Sequence, residues 1–239
     1  ERSVPFKALR ASSKFLYRRA DAIVAVTPSI RERIVSHYGV PGERVTVIPA
    51  AVDTEMFRPG DGGAVRAALG IGGRFVVSYV GTLGVAHGVD LAITAARRLR
   101  QQAPDVLLLL AGGGAERKQI EKELRPDDQA NVLLLPPRPH SGIPGILAAS
   151  DICLVLLRDE PVFRTAVPTK MLEYLASGRP VISNVQGDAA HLLEQSGGGM
   201  TVRPGDSDAL ADAMLKLKSD AALRTEMAQK GRQYVELHS

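Results

Sequence analysis

The sequence predicts an α/β fold built on a doubly wound parallel sheet. From about Arg74 onward, short apolar runs alternate regularly with segments of helical period. The runs are nearly continuously apolar, as strands are when helices cover both faces of a parallel sheet. Glycines cluster in the turns that follow the runs, at Gly81, Gly84, Gly112, Gly113 and Gly114. Strand–helix alternation of this kind implies right-handed crossovers.

Residues 1–20 read as a basic, weakly amphipathic helix, with Lys7, Arg10, Lys14, Arg18 and Arg19 among Phe6, Leu9, Leu16 and Tyr17. A surface helix of an upstream domain and contact with an anionic membrane surface both fit it. A strand (Ala22–Val26), a helix (Pro28–Tyr38) and a strand (Val45–Ile48) follow. Thr27 is placed to cap that helix, with Pro28 at its first position. Ala50–Pro59 reads as a crossover, followed by a glycine-rich turn, Gly60–Gly63. Strands are then expected at Phe75–Val80, Val106–Leu110, Val132–Leu135, Ile152–Leu156, Pro180–Ser183 and Met200–Val202. Helices fit between them near Gly88–Arg100, Glu116–Leu124, Ile143–Ala149, Thr169–Ser177 and Ala189–Glu194. Two closing helices follow, the first with Leu210, Ala213, Met214 and Leu217 on one core-facing stripe.

Composition narrows the function classes. No apolar run approaches the roughly 20 residues of a spanning helix. The single cysteine, Cys153, allows no disulfide framework and fits a reducing compartment. Aromatic content of 4% without Trp argues against a base-stacking surface for nucleic acid. The net charge of +4 leaves a nucleotide diphosphate or an anionic membrane as the anionic partner. The chain opens on Glu1 rather than Met, so an upstream piece is expected to be missing.

In an open parallel sheet, ligands bind beyond the carboxyl ends of the strands. Three turns stand there. Gly81-Thr82-Leu83-Gly84-Val85-Ala86-His87-Gly88 follows a strand, with a helix start expected to offer free N–H groups to phosphate. Gly112-Gly113-Gly114 follows another and suits either an anion nest or a plain turn. It is neither a dinucleotide fingerprint nor a P-loop. Pro168–Pro180 opens with Pro168 and closes at Gly178. On its helix Met171, Leu172, Leu175 and Ala176 share one arc, and Lys170, Glu173, Tyr174 and Ser177 the opposite one. One turn therefore presents a cation, a carboxylate and a helix N-terminus. Lys170 with the N–H groups suits a pyrophosphate, and Glu173 suits the paired hydroxyls of a ribose. A surface ion pair between the two accounts for the pattern equally well.

These segments in this order resemble the C-terminal half of the GT4-like family of retaining glycosyltransferases with the two-domain GT-B fold, whose donor half is Rossmann-like. Ala20–Thr27 is similar to the strand closing that family's N-terminal domain. Val47–Asp53 with Phe57-Arg58-Pro59 resembles its interdomain linker, with Ala50 and Ala51 where Asn and Gly are usual. Gly81–Asp90 matches the first loop of the donor domain, and Pro168–Pro180 its second-carboxylate helix. The first carboxylate of the family's pair falls on Thr165, and the usual diphosphate cations of the first loop fall on Thr82 and His87. Phe163–Lys170 and the Gly81–Gly88 turn together resemble bacterial amino-sugar transferases of the N-acetyl-L-fucosamine type, acting in surface-polysaccharide assembly.

The resemblance implies residues 1–58 as the tail of an N-terminal acceptor domain plus linker, and residues 59–239 as a nucleotide-sugar-binding domain. It implies sugar transfer with retention from a nucleotide-diphosphate donor, UDP-linked, without a metal or other cofactor. The acceptor is a polysaccharide or a lipid-linked saccharide, met through the missing domain, so the chain alone would bind nucleotide without turnover. Glu173 is expected on the ribose. Gly81, Thr82, Gly84, Gly112 and Gly113, with Pro168, Thr169 and Lys170, are expected around the diphosphate. Arg138 with Pro139 is expected at the base, and His87 at phosphate or merely exposed at a helix start; His140 and His191 receive no role. A cytoplasmic location follows, at the inner membrane face if residues 1–20 touch lipid. A sugar-nucleotide 2-epimerase of the same fold and a non-catalytic nucleotide-binding module are the competing readings.

Overall fold

The computed structural model describes residues 4–238, with side chains from Lys7 onward. The chain opens with helix α1 (Val4–Arg19), strand β1 (Ile23–Ala25), helix α2 (Pro28–Tyr38) and strand β2 (Val45–Val47). The two strands pair in parallel, Ile23 opposite Val45 and Ala25 opposite Val47. Thr27 caps α2 as expected, its hydroxyl oxygen accepting from the Ile30 N–H at 3.2 Å. The core of this unit is small: Ala25, Ile34, Val40 and Val45, with Tyr17 edge-on to Tyr38.

Helix α3 (Gly63–Ala68) comes next, where the sequence had indicated only a glycine-rich turn. Its six residues are too short to display a helical period. Gly62 at its start packs against the backbone at Ala148, whose carbonyl oxygen a Cβ there would meet.

The main body is one six-stranded parallel sheet. Its strands are β3 (Phe75–Val80), β4 (Val106–Ala111), β5 (Val132–Leu135), β6 (Ile152–Val155), β7 (Val181–Ser183) and β8 (Gly199–Thr201). Their spatial order is β5-β4-β3-β6-β7-β8. Alternate residues of each strand feed two cores. Val77, Tyr79, Leu108, Leu110 and Leu154 face helices α4 (Asp90–Gln102) and α9 (Ser207–Ser219), whose Leu210, Met214 and Leu217 are buried there. Val76, Val80, Leu107, Leu109 and Val155 face α6 (Ile143–Ala148), α7 (Thr169–Ala176), α8 (Asp188–Ser196) and α10 (Ala221–His238). Helix α5 (Arg117–Glu123) completes the set, with Ile120 buried. The expected doubly wound, Rossmann-like sheet is what forms, with strand and helix ends within a residue or two of their expected places.

One expectation is corrected, and two further features gain a physical cause. The Tyr174 and Ser177 side of α7 is not open to solvent: Tyr174 faces the sheet, its hydroxyl meeting both polar groups of Val80, and Ser177 is buried as well. The Gly81–Gly88 turn does not lead straight into a helix. A 3-10 turn, Val85–His87, ends at Gly88 with φ 56°, and α4 starts only at Asp90. The Gly112–Gly114 glycines are accounted for by loop packing. A Cβ on Gly112 would sit 1.8 Å from the Gly81 carbonyl oxygen, and one on Gly114 2.3 Å from that of Leu83.

Arg232 on α10 ties the segment between β2 and α3 to the main body. Its guanidinium donates to the carbonyls of Thr54, Phe57 and Ala176 at 3.1, 2.7 and 2.8 Å. Thr27 Oγ1 donates to the Thr165 carbonyl at 2.9 Å, and Ser29 Oγ to Asp188 Oδ1 at 2.7 Å.

Candidate functional site

Strands β3, β4 and β5 run outward in one direction, and the chain then returns to place β6 on the other side of β3. The turns after β3 and β6 therefore diverge, opening a crevice at the topological switch point. Residues from the turns after β3, β4 and β5 meet α7 there around a cleft of about 300 Å³. Gly81, Thr82, Gly112, Gly113, Arg138 and Glu173 line it, above a floor that includes Val80, Ala111 and Ile143. The two glycine turns are stitched together by backbone bonds, Gly81 N–H to Ala111 at 2.9 Å and Leu83 N–H to Gly113 at 2.7 Å.

Glu173 projects into the cleft from the middle of α7. Its carboxylate oxygen lies 3.6 Å from His140 Nε2. His140 also meets the ring of Phe57, edge-on at 5.3 Å between centroids. Sequence reasoning gave His140 no role. The one signal available was its place two residues after Arg138 in the turn beyond β5.

Lys170, one turn earlier on α7, reaches behind Gly81. Its Nζ donates to Tyr79 Oη at 2.7 Å and sits 4.1 Å from the centroid of that ring. The phenol donates in turn to the Thr82 carbonyl at 2.7 Å. Burial pushes the Lys170 ammonium down to about 8, with the Glu173 charge working the other way. Burial also raises the Tyr79 phenol, which stays a neutral donor.

Gly84, His87, Pro168, Thr169 and Lys170 do not line this cleft. His87 stacks edge-on to Tyr79 at 6.4 Å, and its Nδ1 is buried without a hydrogen-bond partner. Burial and then the charge of Lys170 lower its pKa, against the Gly84 carbonyl and Glu116. Pro168 caps α7 by position alone, and Thr169 is exposed. The N–H groups of Thr169 and Lys170 nonetheless lie in the first helical turn, ahead of the intrahelical ladder. The start of α4 belongs to a different groove, shared by Asp90, Thr94, Asp159 and Ser207.

Two arginines complete the surroundings. Arg164 is turned away, exposed and 3.3 Å from Asp159. Arg158, which the sequence did not mark, bridges the turns after β6 and β3. Its Nε donates to the Val85 carbonyl at 2.6 Å and its N–H to that of Ala86 at 2.8 Å. Among the described residues no cluster of three or more His, Cys, Asp or Glu could hold a metal ion. Nor is any described helix long and apolar enough to cross a membrane.

Comparison with known proteins extends this picture. Residues 74–220 match the family model "Glycosyl transferases group 1", and residues 2–56 match "Glycosyltransferase Family 4". A D-inositol 3-phosphate glycosyltransferase of Nocardia farcinica is 29% identical over 87% of this chain and 47% of its own length. An alpha-D-kanosaminyltransferase of Streptomyces kanamyceticus is 27% identical over 89% of this chain and 55% of its own. The chain thus spans about half the length of these curated relatives. Among solved structures, Anabaena HepE in complex with UDP superposes with a TM-score of 0.84 at 22% identity, over 97% of this chain and 63% of that one. WaaG, a glycosyltransferase involved in lipopolysaccharide biosynthesis, gives 0.82 at 19% identity, over 98% and 64%. These relatives are not specifically of the fucosamine type. With its larger segment matched by the first model and its opening segment by the second, the chain belongs to the group 1, family 4 glycosyltransferases of the GT-B fold.

Proposed function

We propose that this chain is the donor-binding part of a retaining glycosyltransferase. It would take a sugar from a UDP-linked donor and pass it to a saccharide or lipid-linked acceptor. Residues 59–239 would form the donor domain, and residues 1–58 the tail of the acceptor domain with the linker. The observation that carries this reading is the convergence of Glu173 with the Gly81 and Gly112 turns on one cleft at the switch point. Glu173, an acceptor-only group, takes the ribose hydroxyls. Backbone N–H groups of the Gly81–Gly84 turn and of the first turn of α7 face the diphosphate and stabilise the charge that develops on it as the sugar departs. Arg138 borders the base. The transferred sugar is an amino sugar on this reading, with the kanosaminyltransferase among the relatives in support.

The basic charge is unevenly placed. Residues 1–58 hold ten Lys and Arg against six Asp and Glu, whereas residues 59–239 hold twenty of each. Helix α1 leaves Leu9, Phe15 and Leu16 exposed beside its cations. This supports peripheral contact with anionic lipid at the cytoplasmic face of a membrane, where a lipid-linked acceptor would be met.

Calorimetry of this chain with UDP, UDP-N-acetylglucosamine and GDP-mannose tests the reading. Heat with the uridine compounds, lost in Glu173→Ala, is the expected result. No heat with any nucleotide would overturn it.

A further inference from the structure

We propose that the groove shared by Asp90, Thr94, Asp159 and Ser207 is a carbohydrate site, which takes an uncharged saccharide and holds the sugar chain of the acceptor beside the donor cleft. The carbohydrate class follows from the lining; only its assignment to the acceptor rests on the donor-site reading above.

The groove has a volume of about 380 Å³, within the range of small-ligand sites. Its walls come from the turns after β3, β6, β7 and β8 and from the starts of α4 and α9. It thus opens beyond the carboxyl ends of the sheet, on the side of β3 away from β4.

Its polar groups suit hydroxyls rather than phosphates. Asp90 places Oδ1 3.4 Å from Arg158, and Asp159 places Oδ1 3.3 Å from Arg164. Each carboxylate keeps a second oxygen to accept from a hydroxyl. Thr94 and Ser207 add hydroxyls of their own, which both donate and accept. Arg158, the one arginine of the lining, is already engaged. Its guanidinium donates to the Val85 carbonyl at 2.6 Å and lies 3.6 Å from Glu116 as well as beside Asp90. The helix starts are also met by acid. Asp90 stands in the first turn of α4, and Asp206 caps α9 by accepting from the Ala209 N–H at 2.8 Å. A phosphate entering here meets carboxylates where it needs free cations.

The apolar part of the lining is stiff. Asn184 Oδ1 accepts from the Leu157 N–H and Nδ2 donates to the Leu157 carbonyl, both at 2.9 Å, so Leu157 is held in place beside Leu91 and Pro204. A pyranose ring divides in the same way, with C–H groups on its face and hydroxyls at its rim.

One turn separates the groove from the donor cleft. Gly81 and Thr82 line the cleft, Gly88 lines the groove, and Arg158 holds the stretch between them at Val85 and Ala86. A saccharide in the groove therefore lies at the same end of the sheet as the donor.

Saturation-transfer NMR on this chain with maltose, cellobiose and N,N′-diacetylchitobiose tests the site. Transfer to at least one disaccharide, retained when UDP is added, is the expected result. Thr94→Trp fills the groove from an exposed position on α4. It should abolish transfer while changing UDP affinity by less than about twofold. Asp159→Ala should weaken transfer, and glucose 1-phosphate should give none. No transfer to any of the disaccharides, transfer that survives Thr94→Trp, or equal transfer to glucose 1-phosphate would overturn the proposal. So would transfer that UDP abolishes, because the sugar would then sit in the donor cleft. That competition is read on the unmodified chain, so it does not depend on how any variant folds. Absence of UDP binding, with transfer present and lost in Thr94→Trp, would overturn the donor-site reading and leave the carbohydrate site standing.

Discussion

The hydroxyl of Tyr174 closes on both polar groups of one residue, donating to the Val80 carbonyl at 2.6 Å and accepting from the Val80 N–H at 3.0 Å. Val80 ends β3, and Gly81 follows it into the cleft. A single side chain from α7 therefore fixes the level at which the first glycine turn leaves the sheet, beside the β3–β6 switch point. Tyr174 is fully buried, so neither backbone group has water as a substitute partner.

Tyr174→Phe keeps the ring and removes the bridge. It should cost ~2–3 kcal/mol, because a buried donor and a buried acceptor both lose their partner. Urea unfolding with an unchanged m-value and a lowered midpoint is the expected outcome. A shift below about 0.5 kcal/mol would mean that β3 and its neighbours satisfy Val80 without help.

Asp128 gives the fold an acid-sensitive point away from the cleft. Its carboxylate is buried, bound by Arg97 through contacts of 3.1, 3.1 and 2.7 Å and by the Arg125 N–H at 2.9 Å. The hydrogen bonds from Arg97 hold its pKa below the ordinary carboxylate value, against the opposing effect of burial. A depressed folded value means that the stabilisation is full above the unfolded carboxylate value, about 4, and is lost as pH falls through the folded one. The wild-type chain should therefore lose more stability between about pH 5 and pH 3 than Asp128→Asn does, although Asp128→Asn should start lower at neutral pH. Parallel acid titrations of the two would contradict the linkage.

Helix α1 predicts a lipid preference. The chain should sediment with vesicles containing phosphatidylglycerol and not with pure phosphatidylcholine, and salt should release it. Reversing Lys7, Arg10 and Lys14 to Glu should abolish sedimentation. Equal binding to both vesicle types would leave α1 without this role.

The strands were legible because each is buried on both faces, which writes an unbroken apolar run such as Val106–Leu110 into the sequence. The cap at Thr27 and the stop at Gly178 were legible because each is a local requirement of one helix end. What local pattern does not carry is the company that residues keep. Tyr174 and Ser177 occupied the polar arc of α7, yet both are buried, Tyr174 with its hydroxyl on Val80 of β3. His140 and Arg158 reach the site region because β5 and β6 lie on opposite sides of β3 and β4, a placement that strand order alone determines. The glycines at 112 and 114 left a nest and a plain turn equally open from sequence, which carries no sign of the close approach of the neighbouring Gly81–Leu83 turn.

The central claim is that the cleft between the Gly81 and Gly112 turns and Glu173 holds the nucleotide end of a sugar donor. A crystal structure of this chain soaked with UDP tests it most directly. The account predicts a ribose with its hydroxyls on Glu173 and a diphosphate against Gly81 and Thr82. UDP seated instead in the groove of Asp90, Thr94 and Ser207, with the Glu173 cleft left open, would contradict it.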